Sequence, residues 1–278
     1  MTTKLTILCD NYAGRPFGVV GEHGFACFIE TGSGNVLFDT GQGMGIAGNA
    51  AALGKDLASV QAVAISHGHY DHTGGLPQVL KHTGPVPVFG HPGIFASRSW
   101  SHGSAGRYIG MRHRQEYLAS LGARFHLTRE PVEIIPGVHL SGEIPRKTDF
   151  ERPDANMTLH SEGAADVCPD PIADDLSVVV DAEKGLILVL GCAHAGLINI
   201  INHVLETFER QRIYAIIGGT HLGFSGPDQF EETLNAIDRY GIEKVGVSHC
   251  TGLEKASRLH AHLGERFFFG GVGAELEG

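Results

Sequence analysis

Residues 66–75 read SHGHYDHTGG, with His67, His69, Asp71 and His72 falling within six positions. The run follows VQAVAIS (60–66), an apolar, β-branched stretch that predicts a buried strand. A chain leaving such a strand into a loop can turn these side chains toward one point. Imidazole together with carboxylate suits Zn²⁺, Fe or Mn²⁺. The gapped spacing offers two ligand sets: His67 and His69 for one ion, Asp71 and His72 for a second about 3.5–4 Å away. Thr73, Gly74 and Gly75 let a helix begin close beneath. The alternative, a solvated polar loop, does not explain four ligand-type side chains directly after a buried strand.

Two ions need more ligands than one cluster supplies. Three later segments end an expected strand in a histidine: LILVLGCAHAG (186–196) with Cys192 and His194, IYAIIGGTHLG (213–223) with His221, and EKVGVSHCTG (243–252) with His249 and Cys250. One such histidine reads as a packed or capping residue. Three, beside a cluster already present, read as a converging site.

The remaining pattern frames that site. KLTILC, FACFIET and NVLFDT are short strand-like runs, with a hairpin signal at GSGN. GGLPQVLKH predicts a helix and PVPVF a strand. LSVVVD and LILVLG flank AEKG as a second hairpin. GLINIINHVLETFER places Leu197, Ile198, Ile201, Leu205 and Phe208 at helical spacing, and PDQFEETLNAIDRY and LEKASRLHAHLG predict two more helices. Each half thus runs from strands into alternating strands and helices. That order predicts two mixed sheets packed face to face with helices on the outer faces, in a single α/β domain over 1–278. Residues 143–175, rich in Pro and Asp, are expected to form a long irregular connection.

The 278 residues suffice for a sizeable core. A formal charge of −10 argues against nucleic acid or anionic membrane as a partner. The opening MTTKLTILCDNYAG resembles no leader, and no run reaches the roughly 18 apolar residues of a membrane span. Cys9, Cys27, Cys168, Cys192 and Cys250 show no framework spacing, so free thiols in a reducing cytoplasm are expected.

Against the acidic whole, His72 to Gln115 contains no Asp or Glu but holds Lys81, Arg98, Arg107, Arg112 and Arg114. SRSWSHGSAGRYIGMRHR (97–114) adds Trp100 and Tyr108. Arg98, Arg107 and Arg112 are candidate anion ligands, because a guanidinium fork grips phosphate or carboxylate while an aromatic stacks on a flat ring. The stretch is expected to fold back as a lid over the metal edge; otherwise it is a basic surface balancing acidic ones. The expected substrate is a small anionic molecule, phosphorylated and ring-bearing, with a phosphodiester or a lactone as alternatives. Asp71 and His221 are the candidate catalytic residues, His221 also facing substrate.

SHGHYDH, with LFDTG upstream and HC downstream, resembles the metallo-β-lactamase superfamily. CDN (9–11), EHG (22–24), FDTGQ, GCAHAGLINI, GGTHL and HCTG resemble its branch of 7,8-dihydropterin-6-methyl-4-(β-D-ribofuranosyl)aminobenzene 5′-phosphate synthases. The resemblance runs from about Leu5 to Gly273. It implies a four-layer αβ/βα sandwich with two divalent ions at one sheet edge, zinc first and Mn or Fe as alternatives. It implies His67, His69, Asp71, His72 and His249 as ligands. Asp39 in FDTG would orient ligand histidines or only cap its own turn. Where many members carry GD, with an aspartate bridging the ions, this chain has Gly191 and Cys192. His194, Cys192, or Asp174 and Asp175, in that order, are the candidates to complete the site. The branch implies a transferase that joins a pterin methyl diphosphate to an aminobenzene ribosyl phosphate. A hydrolase of a phosphoester or lactone is the alternative on the same fold, and a non-catalytic metal-binding module the alternative of another class. Flavo-diiron proteins share the fold, but they carry glutamate where His69 stands and a flavodoxin domain after it.

Overall fold

The computed structural model describes residues 3–102, 105–160, 167–208 and 212–278. Seven strands form one mixed sheet in the order Glu275–Glu277, Lys4–Cys9, Ala26–Thr31, Gly34–Phe38, Val60–Ala64, Val86–Gly90, Ala123–Leu127. Seven more form a second in the order Phe267–Phe269, Lys244–Ser248, Ile213–Gly219, Gly185–Leu190, Ser177–Ala182, Val138–Leu140, Val132–Ile135. Each sheet has an antiparallel meander on one side and a parallel run on the other.

The parallel runs fix the layers. Parallel neighbours need crossover connections, and the helices Leu197–Thr207, Pro227–Arg239 and Leu253–Leu263 supply them in the second sheet. With helices on one face and a sheet on the other, the central strands are apolar on both faces. Val178, Val180, Ile187 and Val189 point into the core between the sheets, and Val179, Leu186, Leu188 and Leu190 into the core under the helices. Ile46–Ala52, Leu76–Thr83 and Gln115–Ser120 cover the first sheet in the same way, through Ile46, Val79 and Leu118. The result is the four-layer sandwich expected from the sequence.

One expectation needs correction. Residues 143–175 are not wholly irregular: part of them shares a sheet with the basic stretch. Val167–Pro169, Met157–His160, Ser97–His102 and Ala105–Tyr108 form a third, four-stranded sheet, with Trp100 paired to Met157 and Arg107. Gly103 and Ser104 of the basic stretch, and Glu209 and Arg210 at the end of GLINIINHVLETFER, lie outside the described residues. Among the described residues, no helix is long and apolar enough to cross a membrane.

Candidate metal centre

The candidate residues gather beyond the C-terminal ends of the parallel strands and their neighbours. Asp39 follows Gly34–Phe38, His67 follows Val60–Ala64, Cys192 and His194 follow Gly185–Leu190, His221 follows Ile213–Gly219, and His249 follows Lys244–Ser248. Strand ends of this kind present loops on one edge, where open α/β sheets place ligands. Asp39, Ala193, His221 and His249 all have positive φ (59°, 58°, 54° and 51°). Such backbone strain in non-glycine residues concentrates at functional sites.

The cluster itself turns tightly. Gly68 separates His67 from His69 where a Cβ would lie 2.1 Å from the Ile94 carbonyl oxygen, so no larger residue fits. The chain then enters the short helix Tyr70–Thr73, which Thr73 ties back by donating its hydroxyl to the His69 carbonyl at 2.9 Å.

The hydrogen-bond network assigns the tautomers. Asp39 Oδ2 accepts from Ser66 Oγ and from His72 Nδ1, both at 2.7 Å, and its Oδ1 accepts the Ser66 N–H. Since the Ser66 hydroxyl is spent on Asp39, its oxygen accepts from His67 Nδ1 at 2.8 Å. His249 Nδ1 donates to Asn11 Oδ1 at 2.9 Å. The outer nitrogens of His67, His72 and His249 therefore carry protons, and the Nε2 of each faces inward, as a lone pair in His67 and His249.

These inward nitrogens meet other ligand-type atoms. His67 Nε2 lies 2.9 Å from His69 Nδ1, His72 Nε2 lies 3.2 Å from Cys192 Sγ, and His249 Nε2 lies 3.3 Å from Asp71 Oδ2. His69 Nε2 and His194 Nε2 are buried without a partner. Two nitrogens on tetrahedral zinc stand roughly 3.3 Å apart, so the spacing suits a shared cation. Among the described residues, three groups linked through Cys192 and His249 could hold one: His67, Cys192 and His194; His72, Cys192 and His249; and His23, Asp71 and His249. His69 adjoins the first and Asp71 the second.

The charge states agree. Burial holds the His67, His69 and His194 imidazoles well below their usual range, which keeps them neutral. Burial also lowers His249, to about 4. Burial would raise the Asp71 carboxyl, but the bond from His23 and the positive charge of nearby His72 hold it well below the ordinary range. His72 is the exception: burial pulls it down, yet the Asp39 carboxylate pushes it up to about 9. A cation at its Nε2 would have to displace that proton.

Other candidates fall differently. Asp174 accepts from the Gly68 N–H at 2.8 Å and from Arg98, so it supports the cluster from behind. Asp175 accepts the Ala195 N–H at 2.8 Å, holding the GCAHAG turn. Neither aspartate belongs to the groups that could hold a metal ion. Arg98 is a correction: it is 2% exposed, its Nη1 2.9 Å from Asp174 and its Nε 3.3 Å from Asp170, so it cannot reach a substrate. Arg107 and Arg112 lie over the Tyr70 ring, 5.1 and 4.6 Å from its centroid, and Arg107 also donates to the Tyr70 hydroxyl. The ring of His221 lies 4.3 Å from that of His194, and His221 belongs to none of the three metal groups.

Four residues of the site were not singled out from sequence. His23 Nε2 lies 3.1 Å from Asp71 Oδ2, and Asp10 accepts the His249 N–H at 2.6 Å. Asn11 orients His249, and Tyr70 carries the arginines. His23, Asp10 and Asn11 sit in EHG and CDN, far from SHGHYDH in sequence, and only the fold reveals their roles.

The centre opens into a cleft. A cavity of about 660 Å³ reaches His194, His221, Arg107, Trp100 and Phe224. A neighbouring cavity of about 370 Å³ shares Tyr70, Trp100, His194, His221 and Phe224 and adds Asp71 and His249.

An α/β sandwich with a histidine-rich edge able to hold divalent metal defines the class. The chain belongs to the metallo-beta-lactamase superfamily, whose family model matches residues 20–189. It is 30% identical over 274 residues to a 7,8-dihydropterin-6-methyl-4-(beta-D-ribofuranosyl)-aminobenzene-5'-phosphate synthase of Methanocaldococcus jannaschii, covering 95% of this chain and 92% of that protein. The crystal structure of Tm1679, a metal-dependent hydrolase of the beta-lactamase superfamily, superposes with a TM-score of 0.84 at 28% identity, covering 99% of this chain and 98% of that one. A diphosphatase from the PhnP family shares the fold, with a TM-score of 0.57 at 11% identity over 100% of this chain and 98% of that one.

If Asp39 orients the centre, Asp39→Asn is expected to weaken metal affinity about 10–100-fold. A competing chelator titration checks this, and unchanged affinity would leave Asp39 as a turn cap only.

Proposed function

We propose that the chain is a two-metal enzyme acting on a small, phosphorylated, ring-bearing substrate, in a transfer of the dihydropterin and aminobenzene ribosyl phosphate kind. The carrying observation is the cleft of about 660 Å³ that runs from the inward-facing imidazoles past Arg107 and a group of aromatic rings. That volume is within the usual range for ligand sites and leaves room for a two-part substrate. The relative's name supports the same chemistry.

In this reading His67, His69 and His194 hold one divalent ion, Asp71, His72 and His249 a second, and Cys192 reaches both. Zinc is the first candidate, with Mn or Fe as alternatives. Bound there, the ions supply Lewis acidity toward an anionic oxygen and its departing diphosphate. Arg107, exposed at the cleft and over Tyr70, grips phosphate. Trp100 and the 72% exposed Phe224 offer faces to a flat ring. His221, lowered to about 4 by burial, is neutral near pH 7 and hydrogen-bonds the reacting group. The small anionic substrate, rather than nucleic acid or membrane, is the partner, and free thiols suit a reducing cytoplasm. A phosphodiesterase or lactonase is the second reading, favoured by the likeness to a metal-dependent hydrolase.

The test is an activity comparison with the metal-loaded protein. Coupling of a dihydropterin methyl diphosphate to an aminobenzene ribosyl phosphate is expected to exceed cleavage of phosphodiesters and lactones, and the reverse order selects the hydrolase. Arg107→Ala is expected to lower kcat/KM for phosphorylated substrates about ten- to a hundredfold, one lost charge-assisted bond, and Arg112→Ala to act less, since only Arg107 lines the larger cavity. Metal content should be unchanged in both. An equal loss on neutral esters would show that these arginines do not read phosphate.

A further inference from the structure

Cys192 and Cys250 follow strands that are not neighbours. Ile213–Gly219 lies between Gly185–Leu190 and Lys244–Ser248, with Gly219 paired to Ser248. Two strand spacings would hold such residues about 10 Å apart. The chain instead brings them together over Gly219. Cys250 Sγ lies 3.5 Å from the Cys192 carbonyl oxygen. A Cβ on Gly219 would come within 2.8 Å of Cys250 Sγ and 3.3 Å of Cys192 Cα, so the meeting requires glycine there. Both cysteines line the cleft over Asp71 and His249, Cys250 partly exposed and Cys192 buried beneath it. Cys9 and Cys27 are buried and Cys168 is exposed; none of the three lines this cleft.

We infer that Cys192 and Cys250 form a reversible disulfide when the chain is metal-free and meets a peroxide, and that this bond and an ion held by Cys192 exclude each other. The exclusion rests on the metal reading above; the cross-link does not. Cys250, the more accessible thiol, gives an electron pair to one peroxide oxygen. The O–O bond breaks, hydroxide leaves and takes the thiol proton as water, and Cys250 becomes a sulfenic acid. Cys192 Sγ then attacks that sulfur, the S–O bond breaks, and hydroxide leaves with the Cys192 proton as a second water. Two electrons pass from the two sulfurs to the peroxide, and an added dithiol returns them. A sulfur held in a disulfide has no thiolate to offer an ion.

The test uses the full chain carrying Cys168→Ser, which removes the exposed competitor. Zinc content of the reduced protein is measured first; the metal is then stripped with a chelator and hydrogen peroxide added in stoichiometric amount. The expected result is a linked peptide pair containing Cys192 and Cys250, two fewer alkylatable thiols, and at least a tenfold loss in zinc rebinding that dithiothreitol reverses. Preloading with zinc should slow the cross-link at least tenfold. Both thiols still alkylating after peroxide, or oxidation without a linked peptide, would overturn the pairing. A cross-link forming equally fast with zinc bound would overturn the exclusion. A reduced protein that binds no zinc before peroxide is added would count against the metal reading alone, and the linked peptide would still decide the pairing.

Discussion

His67→Ala and His249→Ala are each expected to lose at least one ion per chain and to lose activity by more than the roughly 10–100-fold that follows removal of an outer partner. The two residues come from opposite halves of the chain and belong to different groups, His67 with His194 and His249 with His72. Each turns Nε2 inward because Nδ1 is engaged, by Ser66 in one case and Asn11 in the other. An alanine removes a lone pair that faces His69 Nδ1 in one case and Asp71 Oδ2 in the other, and so takes one donor from each ligand set. His221→Ala is the control: it should lower turnover and keep both ions. Full metal content in His67→Ala or His249→Ala would refute their assignment, and an ion lost from His221→Ala would move that residue into the ligand set.

Arg98→Met is expected to destabilise the fold by about 3–5 kcal/mol, the cost of leaving buried charge unpaired. The guanidinium is buried between two carboxylates that are themselves 2% exposed or less. Burial already raises the Asp170 carboxyl above its usual range. Asp174 in turn holds the Gly68 N–H between His67 and His69, so its release also disturbs the cluster. Arg98→Lys would keep the charge but lose the fork and recover only part of the loss. Adding Asp170→Asn and Asp174→Asn to Arg98→Met removes the unpaired charges and should restore much of the stability. Urea unfolding of metal-free protein measures all three; a change within about 0.5 kcal/mol for Arg98→Met, the range of ordinary surface positions, would refute the account of this triad.

What the sequence shows and hides follows from the range over which each signal acts. The sandwich was legible because strands such as LILVLG and helices such as GLINIINHVLETFER carry their period locally. SHGHYDH was legible because its donors are adjacent. The third sheet escapes the sequence although SRSWSH alternates serine with larger residues, the period of a strand, because the arginines and the lack of acids draw the reading toward an anion-binding lid. Arg98 was misplaced for a related reason: its partners Asp170 and Asp174 are more than 70 residues away, so a stretch free of acids looked open to an external anion. The choice among Cys192, His194, Asp174 and Asp175 could not be made from order along the chain. It depends on which side of the Gly191 turn faces His67 and His72, and the fold turns Cys192 and His194 inward while Asp174 and Asp175 hold backbone N–H groups.

We propose that imidazoles from both halves of the chain, with Asp71 and Cys192, hold two divalent ions at one edge of the sandwich. Elemental analysis of the reduced, purified chain tests it most directly. Two divalent ions per chain are expected, lost together with activity on chelation and restored by adding zinc, manganese or iron; a chain that binds no ion, or never more than one, would refute the two-ion site.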